Sequence, residues 1–598
     1  MKKILKNQVF LKQGQKKTFE ERIGYTKFIF FIGFVVIFLQ LFKLQIIDYS
    51  KYKPIEIKTI YKKIKLIAER GRIYDRNGKL LALDIPRYSL HFDTWMINKM
   101  RNDPKEKDPK KVENLKELLS NILKIEKNEL EEKINIPYAL IKKDLSPEEY
   151  KKIKELKIKG VYFEKTHKRV YPWGNHASHI IGYTDIDGKN GLEGVEYIYN
   201  SFLKGKDGIY LVLCDGLGNL IPSVKKTLIK EEKGKDIVLT IDSNIQYIVE
   251  EEIKKGYKKF TPKNISVIVM DAENGEILAL ANYPDFDPNN FSKFDLSIIR
   301  NKCVTDLFEP GSIFKIVTTA AALEENLFTP SSIIKCENGE WLVRGHYLHD
   351  VHPYGCLTFE QVITKSSNIG TVKIAMELGE EKLYQYCKKF GFGERTGIDL
   401  PGEIKGIFRP LENWSSYSIT AIPIGQEVGI TSIQGIRAIS VFANGGYLVR
   451  PHIIKEVKDE RSYEKIINYN NEKKRILTPQ TTQIMKEILK KVVTEEGTAS
   501  SAKIEGYNIY GKTGTAQKSI GGVYVKGKYV SSFVGFLTSS KKNIAISVNV
   551  DEPVGLYYGG TVAAHIFRNI MVRIINYYNI PHEENLKMAY KNATKGTN

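Results

Sequence analysis

The chain has 598 residues, of which 42% are hydrophobic, and this composition excludes an intrinsically disordered protein. Its length predicts roughly two to four domains. The formal net charge of +21, from 91 basic and 70 acidic residues, invites a test for nucleic-acid binding. The lysines are spread along the whole chain near glutamates, and no groove-reading or base-stacking motif accompanies them, so we expect no nucleic-acid partner.

The first predicted element is a membrane-spanning helix at residues 28–47. Phe28–Phe42 carries no charge and apolar character continues past Lys43 to Ile47, giving about 20 residues, enough to cross a bilayer. The preceding residues 1–27 are strongly basic, which predicts a cytoplasmic tail, although the flank beyond the helix is basic too. A cleaved signal peptide and a buried core helix are the alternatives, but no small-residue cleavage site follows the long apolar run. We expect a single-pass protein with everything after Asp48 on the outer side.

A first exported domain is predicted for residues 48–242. Asn77–Gly78 is a strong turn signal between apolar runs, which indicates strands on either side. Within this domain, Asn114–Ile134 has the pattern of one charged amphipathic helix, and Ser146–Glu149 has the cap chemistry that opens another. The domain is therefore expected to be rich in strands, with an inserted helical part.

A second domain is predicted for residues 243–580, followed by a polar tail at 581–598. It opens with a hairpin signal, Ser266–Asp271 and Ile277–Ala281 joined through Asn274–Gly275. Helical patterns then dominate to about Glu495. The closing elements are three strands and a helix, namely Ile504–Tyr510, Val530–Leu537, Ile544–Val550 and Ala563–Ile575. Strands at both ends with helices between them predict an antiparallel sheet faced by helices, in an α+β multidomain chain.

The five cysteines do not form a recognisable metal or redox pattern. None lies in a C-x-x-C pair, and all five fall in the exported part of the chain, where disulfides can form. Cys336 with Cys356 is the one pairing that we consider worth testing.

The first chemical signal is Ser312 followed by Lys315, at the start of a helical pattern from Ile316 to Glu325. The two residues are three apart and share a helix face. A serine hydroxyl becomes a good nucleophile when a base takes its proton, and a lysine can be that base if burial and a nearby cation lower its pKa. S-x-x-K alone is a weak signal, because lysine-rich chains contain several by chance.

The second signal is Ser366-Ser367-Asn368, which follows Ser312 in the order that serine acyltransferases of this kind require. The Ser366 hydroxyl can relay a proton to a leaving amine, and the Asn368 amide can hold a substrate backbone. An ordinary helix cap would use the same residue types.

The third signal is Lys512-Thr513-Gly514-Thr515, predicted at the end of a strand. One lysine and two hydroxyls can bind a carboxylate, and Gly514 would let a substrate backbone approach the strand edge. The alternative is a glycine bulge in an exposed strand. Lys512 is also a candidate for the cation that lowers the pKa of Lys315.

The three signals in this order, on helix, helix and strand, resemble the transpeptidase domain of penicillin-binding proteins, with its serine beta-lactamase-like fold. Phe308–Gly311, Thr515–Gln517, Glu496–Thr498 and Asp271–Pro284 extend the resemblance. The first exported domain resembles the family's elongated, β-rich pedestal or dimerisation module, through segments at 70–72, 75–78, 169–172, 182–183 and 191–194. No glycosyltransferase domain is recognised, so the resemblance is to class B, and the FEPGS and KTG forms favour the division branch over the elongation branch.

This resemblance implies a peptidoglycan D,D-transpeptidase that cross-links stem peptides in septal wall synthesis and is acylated by beta-lactams. Ser312 would attack the carbonyl between two D-alanines, with Lys315 as base and Ser366 as proton relay. Asn368 would bind the peptide amide. Lys512, Thr513 and Thr515 would hold the terminal carboxylate. No cofactor or metal is implied, and the expected partners are the membrane, a glycosyltransferase and other division-complex proteins, with the catalytic domain on the periplasmic side of the cytoplasmic membrane.

Several alternatives stay open at this point. A non-catalytic scaffold of the wall-synthesis complex, a beta-lactam sensor, an elongation-type enzyme, and a carboxypeptidase or beta-lactamase share parts of the pattern. His346, His349 and His352, at three-residue spacing, could bind zinc. Turn residues in that segment favour a loop beside the active site instead.

Overall fold

The structure is a computed structural model that describes residues 2–52, 61–92, 110–134, 139–158, 160–214, 220–459 and 473–582. The chain divides into two compact units. The first comprises residues 1–67 with 207–232, and the second comprises residues 68–206 with 233–598. The polar tail predicted at 581–598 lies outside the described residues from 583 onward.

The strands of the described residues are β1 Tyr61–Leu66, β2 Ile73–Tyr74, β3 Leu80–Phe92, β4 Ala139–Leu145, β5 Val161–Val170, β6 Gly208–Cys214, β7 Leu220–Ile229, β8 Asp236–Leu239, β9 Asn264–Asp271, β10 Ile277–Tyr283, β11 Ile333–Lys335, β12 Glu340–Val343, β13 His346–His349, β14 Cys356–Thr358, β15 Tyr447–Val449, β16 Ile454–Lys458, β17 Lys473–Arg475, β18 Ile509–Ile520, β19 Val523–Leu537 and β20 Ile544–Asp551.

The α-helices of the described residues are α1 Lys2–Phe42, α2 Lys110–Leu123, α3 Lys127–Ile134, α4 Pro147–Glu155, α5 Ser178–Ile181, α6 Gly194–Ile198, α7 Asn200–Leu203, α8 Ser243–Phe260, α9 Leu296–Ile299, α10 Lys302–Thr305, α11 Lys315–Glu324, α12 Phe359–Thr364, α13 Asn368–Leu378, α14 Glu380–Lys389, α15 Ser418–Ala421, α16 Ser432–Ala443, α17 Pro479–Val492 and α18 Ala563–Tyr578.

The first unit contains the apolar N-terminal helix and a small sheet. Helix α1 continues into a π-helical turn, Lys43–Ile47. Within the part of the chain that the structure describes, Thr18–Ile47 is the single helix long and apolar enough to cross a membrane, and no part of it is buried in protein. Strands β1, β6 and β7 form an antiparallel sheet in the order β1-β6-β7. The helix therefore has the length and surface that the sequence predicts for a membrane span.

The second unit begins with a sheet in the order β16-β8-β2-β3-β4, in which β5 also pairs with β3. The turn predicted at Asn77–Gly78 is confirmed between β2 and β3, where the Asp75 carboxylate accepts from the backbone N–H groups of Asn77 at 2.9 Å and Lys79 at 2.7 Å. Strand β16 is remote in sequence from its antiparallel neighbour β8. Residues from the second half of the chain therefore complete a sheet that is formed mainly by the first half.

The helical insertion differs from the prediction in one respect. The single helix predicted over Asn114–Ile134 is wrong, because the segment forms two helices, α2 and α3. The backbone of Lys124 is left-handed, with φ of 55°, so the first helix ends at Leu123. The capping box predicted at Ser146 is confirmed, since its hydroxyl accepts from the Glu149 N–H at 3.1 Å and the Glu149 carboxylate accepts from the Ser146 N–H at 2.8 Å.

A buried charge cluster ties remote segments of this unit together. The Glu196 carboxylate, which has no exposed surface, accepts from Arg70 Nε at 2.6 Å and from Arg169 Nε at 2.7 Å. Arg169 also donates to the carbonyl of Gly71 at 2.8 Å and to the Asp84 carboxylate at 3.3 Å. The two guanidinium groups hold the pKa of Glu196 below its usual range against the opposing effect of burial.

The sheet that carries the active site has five antiparallel strands in the order β10-β9-β20-β19-β18, and helices α8, α16 and α18 contact it. The predicted opening hairpin is confirmed by the pairing of β9 with β10. The strand predicted over Ile504–Tyr510 is wrong in position, because β18 begins at Ile509 and continues to Ile520. Residues 504–507 instead form a turn, in which the Tyr507 N–H donates to the Ile504 carbonyl at 3.2 Å.

Candidate active site

Ser312 lies in a tight turn that leads into a buried helix. Gly311–Ile313 forms one turn of 3-10 helix, directly before α11. Gly311 has φ of 51°, and its N–H donates to the Gly425 carbonyl at 3.2 Å, which fixes the turn against a second loop. Ser312 lines a cavity of about 760 Å³, and its hydroxyl makes no hydrogen bond with the described residues. The hydroxyl is therefore available to a molecule in the cavity.

Lys315, the first residue of α11, is fully buried beneath this cavity. Its amine donates to the Ser366 carbonyl at 2.6 Å and to Asn368 Oδ1 at 2.8 Å, and lies 3.3 Å from Ser366 Oγ. A neutral amine has two N–H groups and one lone pair. The two short bonds use both N–H groups and leave the lone pair for a proton.

The second motif lies at a junction between two helices. Ser366 has a left-handed backbone, with φ of 60°, between α12 and α13, so its predicted position within a helix is wrong. The Ser367 hydroxyl accepts from the Gly370 N–H at 2.9 Å and caps α13, which is the alternative role considered for this motif. Ser367 can cap the helix while Ser366 and Asn368 line the cavity, because the side chains of these three successive residues point in different directions.

Asp350 anchors this junction from the hairpin of β12 and β13. Its carboxylate accepts from Ser367 Oγ at 2.6 Å, from the Ile369 N–H at 3.1 Å and, through a short hydrogen bond, from the Asn368 N–H. The carbonyl of His349 accepts from Asn368 Nδ2 at 2.8 Å. Asp350 and His349 together therefore orient the Asn368 side chain, whose oxygen holds Lys315.

The third motif lies in the middle of β18, and its predicted position at a strand end is wrong, since Lys512 pairs with Val534 and Thr515 with Ser531 of β19. The Lys512 amine is fully buried and donates to Ser366 Oγ at 3.0 Å. Ser366 is thus contacted by both buried lysines, one from α11 and one from β18.

The two threonines of this motif are held by neighbouring loops at the cavity wall. The Thr513 hydroxyl lies 3.0 Å from the Thr498 hydroxyl, and Thr515 Oγ1 accepts from the Gly559 N–H at 2.9 Å. Both threonines line the cavity with Ser312 and Ser366. Two hydroxyls with fixed positions therefore face the space above Ser312.

Gly514 has a packing role that its motif does not reveal. A Cβ on this residue would lie 2.3 Å from Ser532 Oγ and 2.8 Å from the Pro310 carbonyl oxygen. The missing side chain therefore lets β18 pack against the turn that carries Ser312. Gly514 does not contribute to the described lining of the cavity.

The buried lysines have strongly shifted proton affinities. Burial lowers the pKa of Lys315 to about 7, and the negative charge of Asp350 opposes this shift. Burial and then repulsion from Lys315 lower the pKa of Lys512 well below its usual range. We considered Lys512 as a cation that lowers the pKa of Lys315, but burial accounts for that shift, and the repulsion between the two lysines lowers the pKa of Lys512 instead.

The three histidines considered for zinc do not converge. His346 packs against Tyr417 in a tilted arrangement with ring centroids 4.4 Å apart, while His352 lines the cavity. Among the described residues, no three His, Cys, Asp or Glu side chains are placed to share a metal ion. The alternative prediction, a loop beside the active site, is wrong for His346–His349, which forms strand β13, but it holds for the residues that follow, where Val351 and His352 line the cavity.

The disulfide considered between Cys336 and Cys356 is absent. Cys336 is buried, Cys356 is exposed, and both are free thiols, as are the other three cysteines. Cys336 contacts the active-site junction, since the Ser367 hydroxyl lies 3.6 Å from its sulfur.

Sequence reasoning placed all eight predicted site residues near one another but missed the role of Asp350. In the sequence, Asp350 stands between His349 and His352, and no motif marks it as a site residue. Its contacts with Ser367–Ile369 depend on the hairpin folding back onto α13, and no local pattern encodes such a contact. Thr498 belongs to the Glu496–Thr498 segment of the family resemblance, but its hydrogen bond with Thr513 depends on the tertiary structure.

Comparison with known proteins decides the family. The penicillin-binding protein transpeptidase domain matches residues 265–572, more than half of the chain, and the penicillin-binding protein dimerisation domain matches residues 65–239. The chain belongs to the penicillin-binding protein transpeptidase family. It is a penicillin-binding protein with the two-domain fold of the class B branch.

Individual relatives cover nearly the whole of this penicillin-binding protein. Stage V sporulation protein D of Bacillus subtilis is 35% identical over 513 residues, covering 84% of this chain and 77% of the relative. The peptidoglycan D,D-transpeptidase FtsI of Buchnera aphidicola (subsp. Schizaphis graminum) is 32% identical over 565 residues, covering 94% and 95%. The structure of penicillin-binding protein 3 from Mycobacterium tuberculosis, complexed with aztreonam, superposes with a TM-score of 0.68 at 27% identity, covering 87% and 98%.

Proposed function

We propose that this penicillin-binding protein is a division-type peptidoglycan D,D-transpeptidase that uses Ser312 as its nucleophile. One observation carries the proposal: the side chains of Lys315, Ser366, Asn368 and Lys512 form one hydrogen-bonded network at the floor of the cavity that Ser312 lines. The names of the FtsI and penicillin-binding protein 3 relatives favour the division branch over the elongation branch. The substrates are stem peptides ending in D-Ala-D-Ala, and beta-lactams acylate the same serine.

Acylation begins with proton transfer from Ser312. The lone pair of neutral Lys315 accepts the hydroxyl proton as Ser312 Oγ attacks the carbonyl carbon between the two D-alanines. The C–N bond then breaks, and the amine of the departing D-alanine takes a proton through the Ser366 hydroxyl. An ester between Ser312 and the shortened peptide remains, and D-alanine leaves.

The remaining site residues hold the donor peptide during this step. The terminal carboxylate of the donor favours the protonated form of Lys512, which supplies positive charge, and the Thr513 and Thr515 hydroxyls bind that carboxylate. The N–H groups of Ser312 and Thr515 stabilise the oxyanion, and the Asn368 amide binds the peptide backbone. Gly514 contributes by allowing the strand to approach the Ser312 turn.

Transfer reverses the chemistry with a second peptide. The amine of a neighbouring stem peptide attacks the ester carbonyl and loses its proton through the same network, while Ser312 regains a hydroxyl. A new amide then links the two stem peptides. The reaction needs no metal or cofactor, because every proton moves between groups of the site and the substrates.

The membrane arrangement and assembly partners are part of the proposal. Residues 1–27 would remain cytoplasmic, residues 28–47 would cross the membrane, and the catalytic domain would lie on the periplasmic side. A spanning helix beside a family pedestal suits assembly with a glycosyltransferase and other division-complex proteins. A periplasm-specific reporter fused after residue 582 should be active, and an active cytoplasm-specific reporter there would contradict this orientation. Co-purification of a glycosyltransferase with the full chain would test the partner.

The domain limits follow from the same proposal. The pedestal would occupy residues 48–242 and the transpeptidase domain residues 243–580. Because Thr240, Asp242 and Ser243 are buried at this limit, limited proteolysis of the folded chain should leave it intact, and early cleavage near residue 242 would contradict the described packing.

The catalytic proposal is tested by incubating the detergent-solubilised full chain with a penicillin and mapping the adduct by mass spectrometry. We expect one adduct, on the peptide containing Ser312, and its loss in Ser312→Ala. Ser331→Ala, which changes an exposed serine, should be labelled like the unmodified chain. An adduct that persists in folded Ser312→Ala would overturn the assignment.

A further inference from the structure

The cavity wall contains a carboxylate that the proposed chemistry does not use. Glu309 lies three residues before Ser312, is partly buried and lines the same cavity. Its carboxylate accepts from the Tyr524 hydroxyl at 3.0 and 3.2 Å and from the Glu427 N–H at 3.2 Å. These bonds hold the group in place at the wall.

Glu309 has no cationic partner among the residues that the structure describes. The adjacent Glu427 carboxylate is paired with Arg409 and accepts from Ser418 Oγ at 2.8 Å. The lysine nearby in the strand, Lys518, pairs with Asp551 and Glu552 at 2.7 Å each. Burial, and repulsion from Glu427, raise the pKa of Glu309. A cation in the cavity would favour the charged form of Glu309 and so oppose the effects of burial and of repulsion from Glu427.

The position of this carboxylate fits one part of a stem peptide. β18 is at the edge of its sheet among the described strands, so a peptide can lie along it as a further strand. With its carboxylate at Thr513 and Thr515, an antiparallel peptide would extend toward Gln517, at about 3.4 Å per residue. The third residue from its end would lie near Gln517. Tyr524, which holds Glu309, pairs with Ser519, two residues further along β18.

We propose that Glu309, held by Tyr524, binds the side-chain ammonium group of a stem peptide. This inference rests on the proposed transpeptidase function. Cross-linking requires stem peptides with a side-chain amine, and both the donor peptide and the acceptor peptide carry one. Either peptide could therefore present a primary ammonium group on a flexible side chain to Glu309. The position of Glu309 beside strand β18 favours the donor peptide.

The test uses the full chain in detergent with two donor peptides, Nα-acetyl-lysyl-D-Ala-D-Ala and its Nα,Nε-diacetyl form. Acyl-enzyme formation and D-alanine release are measured for each. We expect the unmodified chain to prefer the free amine by about tenfold, the effect of one charge-assisted hydrogen bond in a partly buried site. Glu309→Gln should bring the ratio close to one, and Tyr524→Phe should lower it. Glu496→Gln, which removes another cavity-lining carboxylate, should keep the ratio.

A second arm determines the source of the ammonium. With the diacetyl donor, the concentration of an amine-bearing acceptor that gives half-maximal transfer is compared between the unmodified chain and Glu309→Gln. If Glu309→Gln changes the preference between the two donor peptides, the ammonium group that binds Glu309 belongs to the donor. If Glu309→Gln raises the acceptor concentration that gives half-maximal transfer, the ammonium group belongs to the acceptor. If neither changes while penicillin still labels Ser312, the inference is wrong and the proposed function stands. Failure of penicillin to label Ser312 in the unmodified chain would instead overturn the proposed function.

Discussion

At the scale of single residues, two buried lysines meet at one serine hydroxyl. Lys315 and Lys512 come from a helix and a strand that are remote in sequence, and each amine is within hydrogen-bonding distance of Ser366 Oγ. Burial makes their charged forms costly, and their mutual repulsion makes two charges costlier still. The proposed role of Lys315 as the base for Ser312 requires the neutral form of its amine.

The pKa of Lys315 predicts how acylation depends on pH. Because burial lowers this pKa to about 7, the rate of penicillin acylation should rise with pH through a midpoint at about 7 and level off at higher pH. The Asp350 charge favours protonated Lys315 and raises its pKa, so Asp350→Asn should move the midpoint to lower pH. Stopped-flow acylation between pH 5 and 9 (roughly two units on either side of the midpoint) measures this.

A matched control separates charge from position. Ser367→Ala removes the hydrogen bond to Asp350 but keeps the Asp350 charge, so it should change the rate and leave the midpoint in place. An Asp350→Asn midpoint equal to that of the unmodified chain would show that Asp350 acts only by orienting the junction.

At the scale of elements, strand β18 both lines the cavity and packs against the turn that carries Ser312. One side presents Thr513 and Thr515 to the cavity, and Gly514 allows close packing against the turn before Ser312. The identity of the glycine is therefore explained by a contact within the protein. The same contact fixes the turn that carries Ser312 against the strand.

Gly514→Ala is expected to disturb both stability and chemistry. Its Cβ would overlap Ser532 Oγ and the Pro310 carbonyl, and overpacking of this kind typically costs about 1–3 kcal/mol. The Tm should fall, and penicillin acylation should slow because the Ser312 turn is displaced. Gly435→Ala is the control, since a Cβ there would meet only ordinary contacts at 3.7 Å within helix α16. An unchanged acylation rate in Gly514→Ala would contradict the proposed packing role.

At the scale of the whole molecule, buried charges and shared sheets hold the second unit together. Arg70, Arg169 and Glu196 come from separate segments and satisfy one another in the interior. Strand β16, from the second half of the chain, pairs with β8 from the first half. The pedestal sheet and the transpeptidase domain therefore share structure in this unit.

Removing the central carboxylate of the cluster should be costly. Glu196→Gln leaves two buried guanidinium groups without their common counter-charge, and loss of one partner of a buried ion pair typically costs about 3–5 kcal/mol. We expect a lower Tm and faster proteolysis within the pedestal. Glu117→Gln is the control, because its ion pair with Lys127 is exposed and surface pairs contribute about 0–1 kcal/mol. Equal Tm values for the two variants would contradict a stabilising role for the cluster.

The sequence by itself determined the features that depend on local pattern. The apolar run at 28–47, the hairpin around Asn274–Gly275 and the capping box at Ser146 follow from hydropathy, turn chemistry and spacing, and the structure confirms them. The three motifs also predicted a candidate site whose residues lie together in the structure, because each motif consists of consecutive or nearly consecutive residues.

Only the tertiary structure decided the features that depend on remote contacts. The break of the predicted helix at Lys124 and the start of β18 at Ile509 reflect packing that overrides local propensity. The hydrogen bonds between Ser367 and Asp350 and between Tyr524 and Glu309 join residues that are not neighbours in sequence. A single sequence shows which side chains are present, whereas folding of the backbone determines which of them meet.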